Sequence, residues 1–223
     1  LQESLAKMAS VHVSNFHSAY LFYPILDPHG VVNSGIATFS KYKIDKVIRK
    51  SLEITDAFPS KFFDLDRCFS ASYLKTNHDN YLVIVNVHLS AYDKGGVYRK
   101  KQLQQLNSFL EVEYQKGNYV VCGGDFNHDI ANSMYVFETK QEKPEWVYAL
   151  NNDDLNENFS FATNNNIPTC RSTDMPYEKN VNYTVVLDGF IVSKNVDVIM
   201  VENVDTNFEY SDHNPVYMKF VLK

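Results

Sequence analysis

Apolar and polar positions along the chain alternate in short runs, separated by loops rich in Asn, Asp, Gly and Pro. That is the pattern of strands rather than of long helices. Strands are predicted at Ala19 to Ile25, Gly35 to Lys41, Cys68 to Leu74, Tyr81 to Leu89, Tyr119 to Cys122, Thr184 to Ser193, Val196 to Val204 and Pro215 to Leu222. One stretch departs from it. From about Tyr98 to Lys116, the residues Leu103, Leu106, Leu110 and Tyr114 share one face of a helix, and Gly117 supplies a stop signal. This helix joins the strand ending at Leu89 to the strand starting at Tyr119, which suits a crossover between parallel or mixed strands in an α/β sandwich. No repeat, Ser- or Pro-rich linker or composition shift divides the chain, so residues 1–223 are expected to form one domain.

Composition narrows the classes. With 44% hydrophobic and 22% charged residues, the chain has the makings of a packed domain and not of a disordered tail. Its longest apolar runs, around Tyr81 to Val87 and Thr184 to Val192, fall far short of the ~20 residues of a membrane-spanning helix. A net charge of −6 tells against wrapping long nucleic acid, whose affinity comes mostly from Lys and Arg on phosphates. The basic candidates are two short clusters, Lys41, Lys43, Lys46, Arg49 and Lys50, then Arg99, Lys100 and Lys101, and such runs are usually solvated faces. Cys68, Cys122 and Cys170 have no metal-type spacing and no disulfide framework.

Chemistry shows where polar residues interrupt strands. In Tyr81-Leu-Val-Ile-Val-Asn-Val-His-Leu89, the period of two puts Leu82, Ile84, Asn86 and His88 on one face, so a face that begins apolar ends in an amide and an imidazole. Next, Tyr119-Val-Val-Cys-Gly-Gly-Asp-Phe-Asn-His128 carries an apolar strand into two glycines and then Asp125 and Asn127. If the strand continues, both side chains point the same way and suit a hard cation such as Mg²⁺; Gly-Gly-Asp is also a common turn. Asp188 interrupts the apolar run Thr184 to Val192, and a buried carboxylate needs a partner, either a Lys or Arg or a histidine that it orients. Finally, the adjacent Asp212 and His213 of Tyr210-Ser-Asp-His-Asn-Pro215 cannot share a face of a regular strand, so they must lie on a bend before it.

The order of these elements is specific. Leu1-Gln2-Glu3, Asn86-Val-His88-Leu, Gly124-Asp125-Phe-Asn127, Leu187-Asp188-Gly-Phe and Ser211-Asp212-His213-Asn-Pro215 resemble the endonuclease/exonuclease/phosphatase superfamily across nearly the whole chain. Ser34 to Tyr42 looks like its Gly-led strand, and Arg99 with Gln102 like the pair opening its helix. The resemblance implies a four-layer α/β sandwich, two packed mixed sheets flanked by helices, and divalent-metal-dependent hydrolysis of phosphoesters, with Mg²⁺ (or Mn²⁺) as cofactor. It implies Glu3, Asp212 and Asp125 as metal ligands, and Asp125 and Asn127 as the residues that position water and contact phosphate. His213 becomes the general base or acid, Asp188 its orienting carboxylate, and His88 a donor to a phosphate oxygen. Asn33 and Arg171 are candidate phosphate contacts. Deoxyribonuclease-like members carry a carboxylate near Gly35 where this chain has Asn33 and Ser34. The opening residues resemble the end of a metal-bearing strand, so the family's first strand is expected upstream.

A phosphodiester substrate is expected over a monoester, with a small phosphodiester, phospholipid head group or inositol phosphate competing with nucleic acid. A catalytically inactive binding module on the same fold is the alternative from another class, and an inositol-phosphate monoesterase the alternative within it. The protein is expected to be a monomer; the Asn-, Lys- and Tyr-rich composition looks bacterial, and because some bacterial members of the superfamily are exported or membrane-anchored, the resemblance implies such a protein, with a leader upstream of residue 1.

Overall fold

The computed structural model describes residues 5, 8–14, 20–21, 26–27, 30–31, 34–54, 67–91 and 97–223. In chain order the strands are β1 (Ala9–Ser14), β2 (Tyr20–Leu21), β3 (Gly30–Val31), β4 (Gly35–Ser40), β5 (Lys46–Ser51), β6 (Cys68–Lys75) and β7 (Tyr81–His88). Helix α1 (Val97–Gln115) follows, then β8 (Tyr119–Asp125), β9 (Phe159–Ala162), β10 (Cys170–Arg171), β11 (Thr184–Val185), β12 (Asp188–Ser193), β13 (Val196–Asn203) and β14 (Val216–Leu222). A six-stranded mixed sheet of order β5-β6-β7-β8-β12-β9 is the centre. The crossover expected from the helix position is present: β7 and β8 are parallel, and every other neighbouring pair in that sheet is antiparallel.

The alternation in β7 decides what lies on each side. Val83, Val85 and Val87 are buried with Leu103, Leu106 and Leu110 of α1, so the helix covers one face. Leu82 and Ile84 point the other way and pack with Tyr119, Val121 and Val192 against Met218, Phe220 and Leu222. On this second side lie the antiparallel pairs β13-β14 and β1-β4, the latter tied to the central sheet where Asn86 Nδ2 donates to Ala37 O at 3.0 Å. Helix on sheet on strand layer is the α/β sandwich that the sequence implied. Burial of the apolar stripe, more than helix propensity, stabilises α1.

Several boundaries differ from the sequence expectation. Thr184 to Ser193 is two strands. The amides of Leu187 and Asp188 both donate to Thr169 Oγ1, at 2.9 and 3.1 Å, and the chain changes partner from β10 to β8 there. β5, read from its charges as a basic cluster, is an edge strand on β6. β1, β9 and β10 are too short or too polar to have stood out. Of the strand expected at Ala19 to Ile25, only Tyr20–Leu21 lies within the described residues. All three cysteines are buried thiols.

The Gly-Gly pair is not a turn but the last part of β8. A side chain on Gly123 would meet the Phe190 ring at 2.8 Å, and a Cβ on Gly124, at φ +152°, would lie 1.9 Å from Val87 O. Close approach of β7 therefore demands glycine. Gly124→Ala is expected to cost about 3 kcal/mol or more, ~10 °C in Tm by thermal denaturation, because neither strand backbone can retreat. An unchanged Tm would show that β7 and β8 can separate there.

Candidate active site

Register places the chemistry. His88 on β7 stands opposite Asp125 on β8, and Asp125 opposite Asp188 on β12, so three adjacent strands present one polar residue each at the same level. These are strand ends or starts at one edge of an open α/β sheet, where ligands bind. His213 reaches this row from the bend before β14, its backbone bridged to Cys170.

The side chains form a connected set. His213 Nδ1 lies 2.8 Å from Asp188 Oδ2, and its Nε2 lies 3.8 Å from Asp125 Oδ2. His88 Nε2 approaches the same Asp125 oxygen at 3.4 Å. Asp125 is held in turn by Asn127, whose amide N–H donates to Oδ1 at 2.7 Å and whose Nδ2 donates to Oδ2 at 3.1 Å. Sequence reasoning expected Asp125 and Asn127 to align on a continuing strand. Instead β8 ends at Asp125 and Asn127 turns into left-handed backbone at φ 50°, so an Asx turn, not strand pleat, brings them together.

Electrostatics separate the two histidines. Burial, then the charges of Arg67 and His213, lower His88 to about 4, so it is a neutral imidazole at physiological pH. Burial pulls His213 the same way, but hydrogen bonds to Asp188 and Cys170 and the Asp188 charge more than offset it and raise it to about 12. Asp125 is raised to about 7, first by burial and then by the neighbouring Asp188 charge, against the lowering influence of His213. A buried carboxylate pushed up by a like charge is the environment that a cation relieves. The ligand atoms of Asp125, Asp188 and His213 lie within 4.8 Å of one another. Asp212 does not join that group. Its exposed side chain lines the adjoining cavity, while its backbone carbonyl accepts from Arg171 N at 3.1 Å. Glu3 and Asn33 lie outside the described residues. Arg171 lines the same cavity, donating from Nη1 to Ser172 O at 2.9 Å with its guanidinium 6.0 Å from the Tyr177 ring.

Buried polar residues hold the set in place. Arg99, grouped by sequence with a basic patch, is wholly buried and unavailable to nucleic acid; its Nη1 donates to Asn127 O at 2.7 Å and Trp146 O at 3.0 Å. Gln102 donates from Nε2 to Ser90 Oγ and Glu53 O, fixing the chain after β7. Thr169, and Asn214 of the Ser211-to-Pro215 motif, neither of them assigned a role from sequence, tie Asp188 to His213. Thr169 Oγ1 holds the Asp188 amide while Thr169 O accepts from Asn214 N at 2.8 Å. Asn214 Nδ2 donates to Pro168 O and its Oδ1 accepts from Thr206, so the residue after His213 cannot swing. Arg67, buried at the head of β6, was also missed; its charge acts on both His88 and Asp125.

No sequence model of a known protein family matches the chain. An inositol phosphosphingolipids phospholipase C of Schizosaccharomyces pombe is 24% identical over 96% of this chain, which spans 57% of that protein's length. Among solved structures, an endonuclease/exonuclease/phosphatase from Bacteroides vulgatus superposes over 100% of this chain and 79% of its own, with a TM-score of 0.63 and 14% identity. ANGEL2, a 2′,3′-cyclic phosphatase in complex with adenosine-2′,3′-vanadate, covers 99% of this chain and 76% of its own, with a TM-score of 0.62 and 14% identity. The fold is that of the endonuclease/exonuclease/phosphatase structures.

Proposed function

We propose that the chain hydrolyses a phosphodiester with the help of a divalent cation, Mg²⁺ or Mn²⁺. One observation carries the reading: His213, fixed by Asp188, and Asp125, fixed by Asn127, present Nε2 and Oδ2 only 3.8 Å apart. In-line displacement at phosphorus puts the entering and leaving oxygens on opposite sides. Two groups this close therefore serve one oxygen, that of the attacking water. Asp125, paired with the charged His213, takes the water's proton as its oxygen bonds to phosphorus and the ester P–O bond breaks. Neutral His88, beside the same carboxylate, retains an N–H to donate to a non-bridging phosphoryl oxygen.

The raised Asp125 carboxyl fits a cation, and among the described residues Asp125 would hold it. When bound, a divalent ion polarises the phosphoryl oxygens and absorbs charge on the leaving oxygen. The phospholipase C and the cyclic phosphatase among the similar proteins both act on phosphate esters, which supports the class.

The test is turnover of bis-p-nitrophenyl phosphate. With Mg²⁺ or Mn²⁺ we expect release of nitrophenolate that falls in EDTA to the level of His213→Ala. Equal rates in EDTA would sink the metal requirement, and equal rates in His213→Ala would sink the site.

A further inference from the structure

The loop that delivers His213 is tied at its neck and anchored at its tip by different means. At the neck, Val204 N donates to Pro215 O at 2.8 Å, and Thr206 donates to Asn214 Oδ1 from both N and Oγ1, at 3.1 and 2.7 Å. At the tip, Glu209 N closes a turn on Thr206 O at 3.2 Å, with Asn207 and Phe208 as its two central residues. Both are left-handed, at φ 53° and 50°. Two left-handed residues at the centre of a turn are the type I′ arrangement, which ordinarily takes Asn-Gly. Asn207 suits its place, and its amide donates to Asp205 Oδ1 at 2.8 Å. Phe208 does not: a bulky side chain in left-handed backbone is strained and persists only where its surroundings hold it there.

Burial supplies that hold. From Asp205 to His213, Phe208 is the only buried residue, 4% exposed, while Tyr210 two positions on is 88% exposed. Its ring stands edge-on to that of Tyr177, with centroids 4.9 Å apart. Tyr177 belongs to the connection between β10 and β11 and lies 6.0 Å from the guanidinium of Arg171, whose own amide donates to Asp212 O at 3.1 Å. The aromatic pair is thus fastened to the loop at both ends. Neither ring meets the reacting groups. The cavity beside His213, of about 500 Å³, is lined by Asn127, Trp146 and Arg171 among others, whereas Tyr177 and Phe208 line a separate one of about 230 Å³ with Phe137 and Ile167. The path from ring to histidine runs through the backbone instead. Phe208 fixes the turn, the turn fixes Thr206, and Thr206 grips Asn214, the residue after His213.

We propose that Phe208 is a positioning residue for His213: its ring, docked on Tyr177, holds the loop in the backbone course that brings His213 Nε2 to 3.8 Å from Asp125 Oδ2. The proposal rests on the phosphodiesterase reading and adds a residue to that same site. Its test compares Phe208→Ala, Phe208→Gly and Phe208→Leu in the whole protein, each assayed well below its Tm. Phe208→Ala should lower kcat on bis-p-nitrophenyl phosphate about 10²-fold, the scale of a displacement of about 1 Å at a reacting group, with KM within about twofold. Phe208→Leu keeps an apolar anchor and should stay within about threefold of wild type. Phe208→Gly suits the left-handed backbone, so it should melt a few degrees above Phe208→Ala and yet be as slow. Proton NMR of the metal-free protein gives a readout independent of turnover. The downfield Nδ1–H resonance of His213 bonded to Asp188 should be present in wild type and Phe208→Leu and lost to exchange in Phe208→Ala. Should Phe208→Ala fail to fold, Tyr177→Leu, which removes the ring that Phe208 docks on, should show the same losses. An unchanged kcat in Phe208→Ala, a restored kcat in Phe208→Gly, or a Phe208→Leu as slow as Phe208→Ala overturns the proposal. If the wild type turns over no diester but the resonance still vanishes in Phe208→Ala, the phosphodiesterase reading fails and the positioning role survives. If turnover and resonance both persist in Phe208→Ala, the positioning role fails and the reading stands.

Discussion

Asp125→Asn is expected to remove about a thousandfold or more of turnover while raising the Tm of the metal-free protein. Loss of activity follows because the amide cannot accept the water's proton. The stability gain follows from linkage. Asp125 titrates near 7 in the fold, against about 3.9 in an unfolded chain. Between those values the native state holds the proton more tightly, so stability falls as pH rises across that window and stays low above it. The neutral isostere avoids this, so the variant's advantage in EDTA should be absent at pH 4 and full at pH 8. Added Mg²⁺ should stabilise the wild type and not the variant. Thermal denaturation at the two pH values, with and without Mg²⁺, decides it; a lower Tm for Asp125→Asn at pH 8 in EDTA would mean the carboxylate is a structural anchor.

Asp188→Asn should lower kcat by about 10² to 10⁴ with a much smaller change in KM, since it removes the charge that orients and protonates His213 rather than a contact to substrate. The titration of His213 distinguishes this from simple damage. In the wild type Asp188 keeps the ring charged through neutrality, at about 12 against 6.5 for a free imidazole. Without Asp188 the lowering effect of burial is opposed by Cys170 alone, and the ring should lose its proton at a lower pH than in the wild type. Because the folded pKa is raised, the stability the pair contributes is complete below about 6.5 and is lost as pH rises toward 12. The deficit of Asp188→Asn should therefore be larger at pH 6 than at pH 9. Ring-proton NMR that still finds His213 charged at pH 8 in the variant would remove Asp188 from its assigned role.

Much of this site was legible because its members sit on strands. A period of two brought His88 to the face shared with Asn86, and an apolar run ending in glycines marked Asp125. What sequence could not supply was register: His88, Asp125 and Asp188 stand level only because Val87 O lies against Gly124, a contact between segments more than thirty residues apart. The break before Asp188 was equally invisible, since it depends on a threonine hydroxyl that takes amide protons from a distant strand. Short or charged edge strands such as β5 lack the apolar alternation that betrays a buried one. Arg99 was misjudged for a related reason. A cation in a run of cations reads as surface until its carbonyl partners are seen.

That buried guanidinium has one more consequence. Because it grips the Asn127 carbonyl of the turn that holds Asp125 and the Trp146 carbonyl of the cavity wall together, the two are mechanically one part. Remodelling the wall should tilt the turn by which Asn127 holds Asp125. Specificity and rate in this protein should therefore evolve jointly, with paired changes on both sides of Arg99 coupled rather than additive.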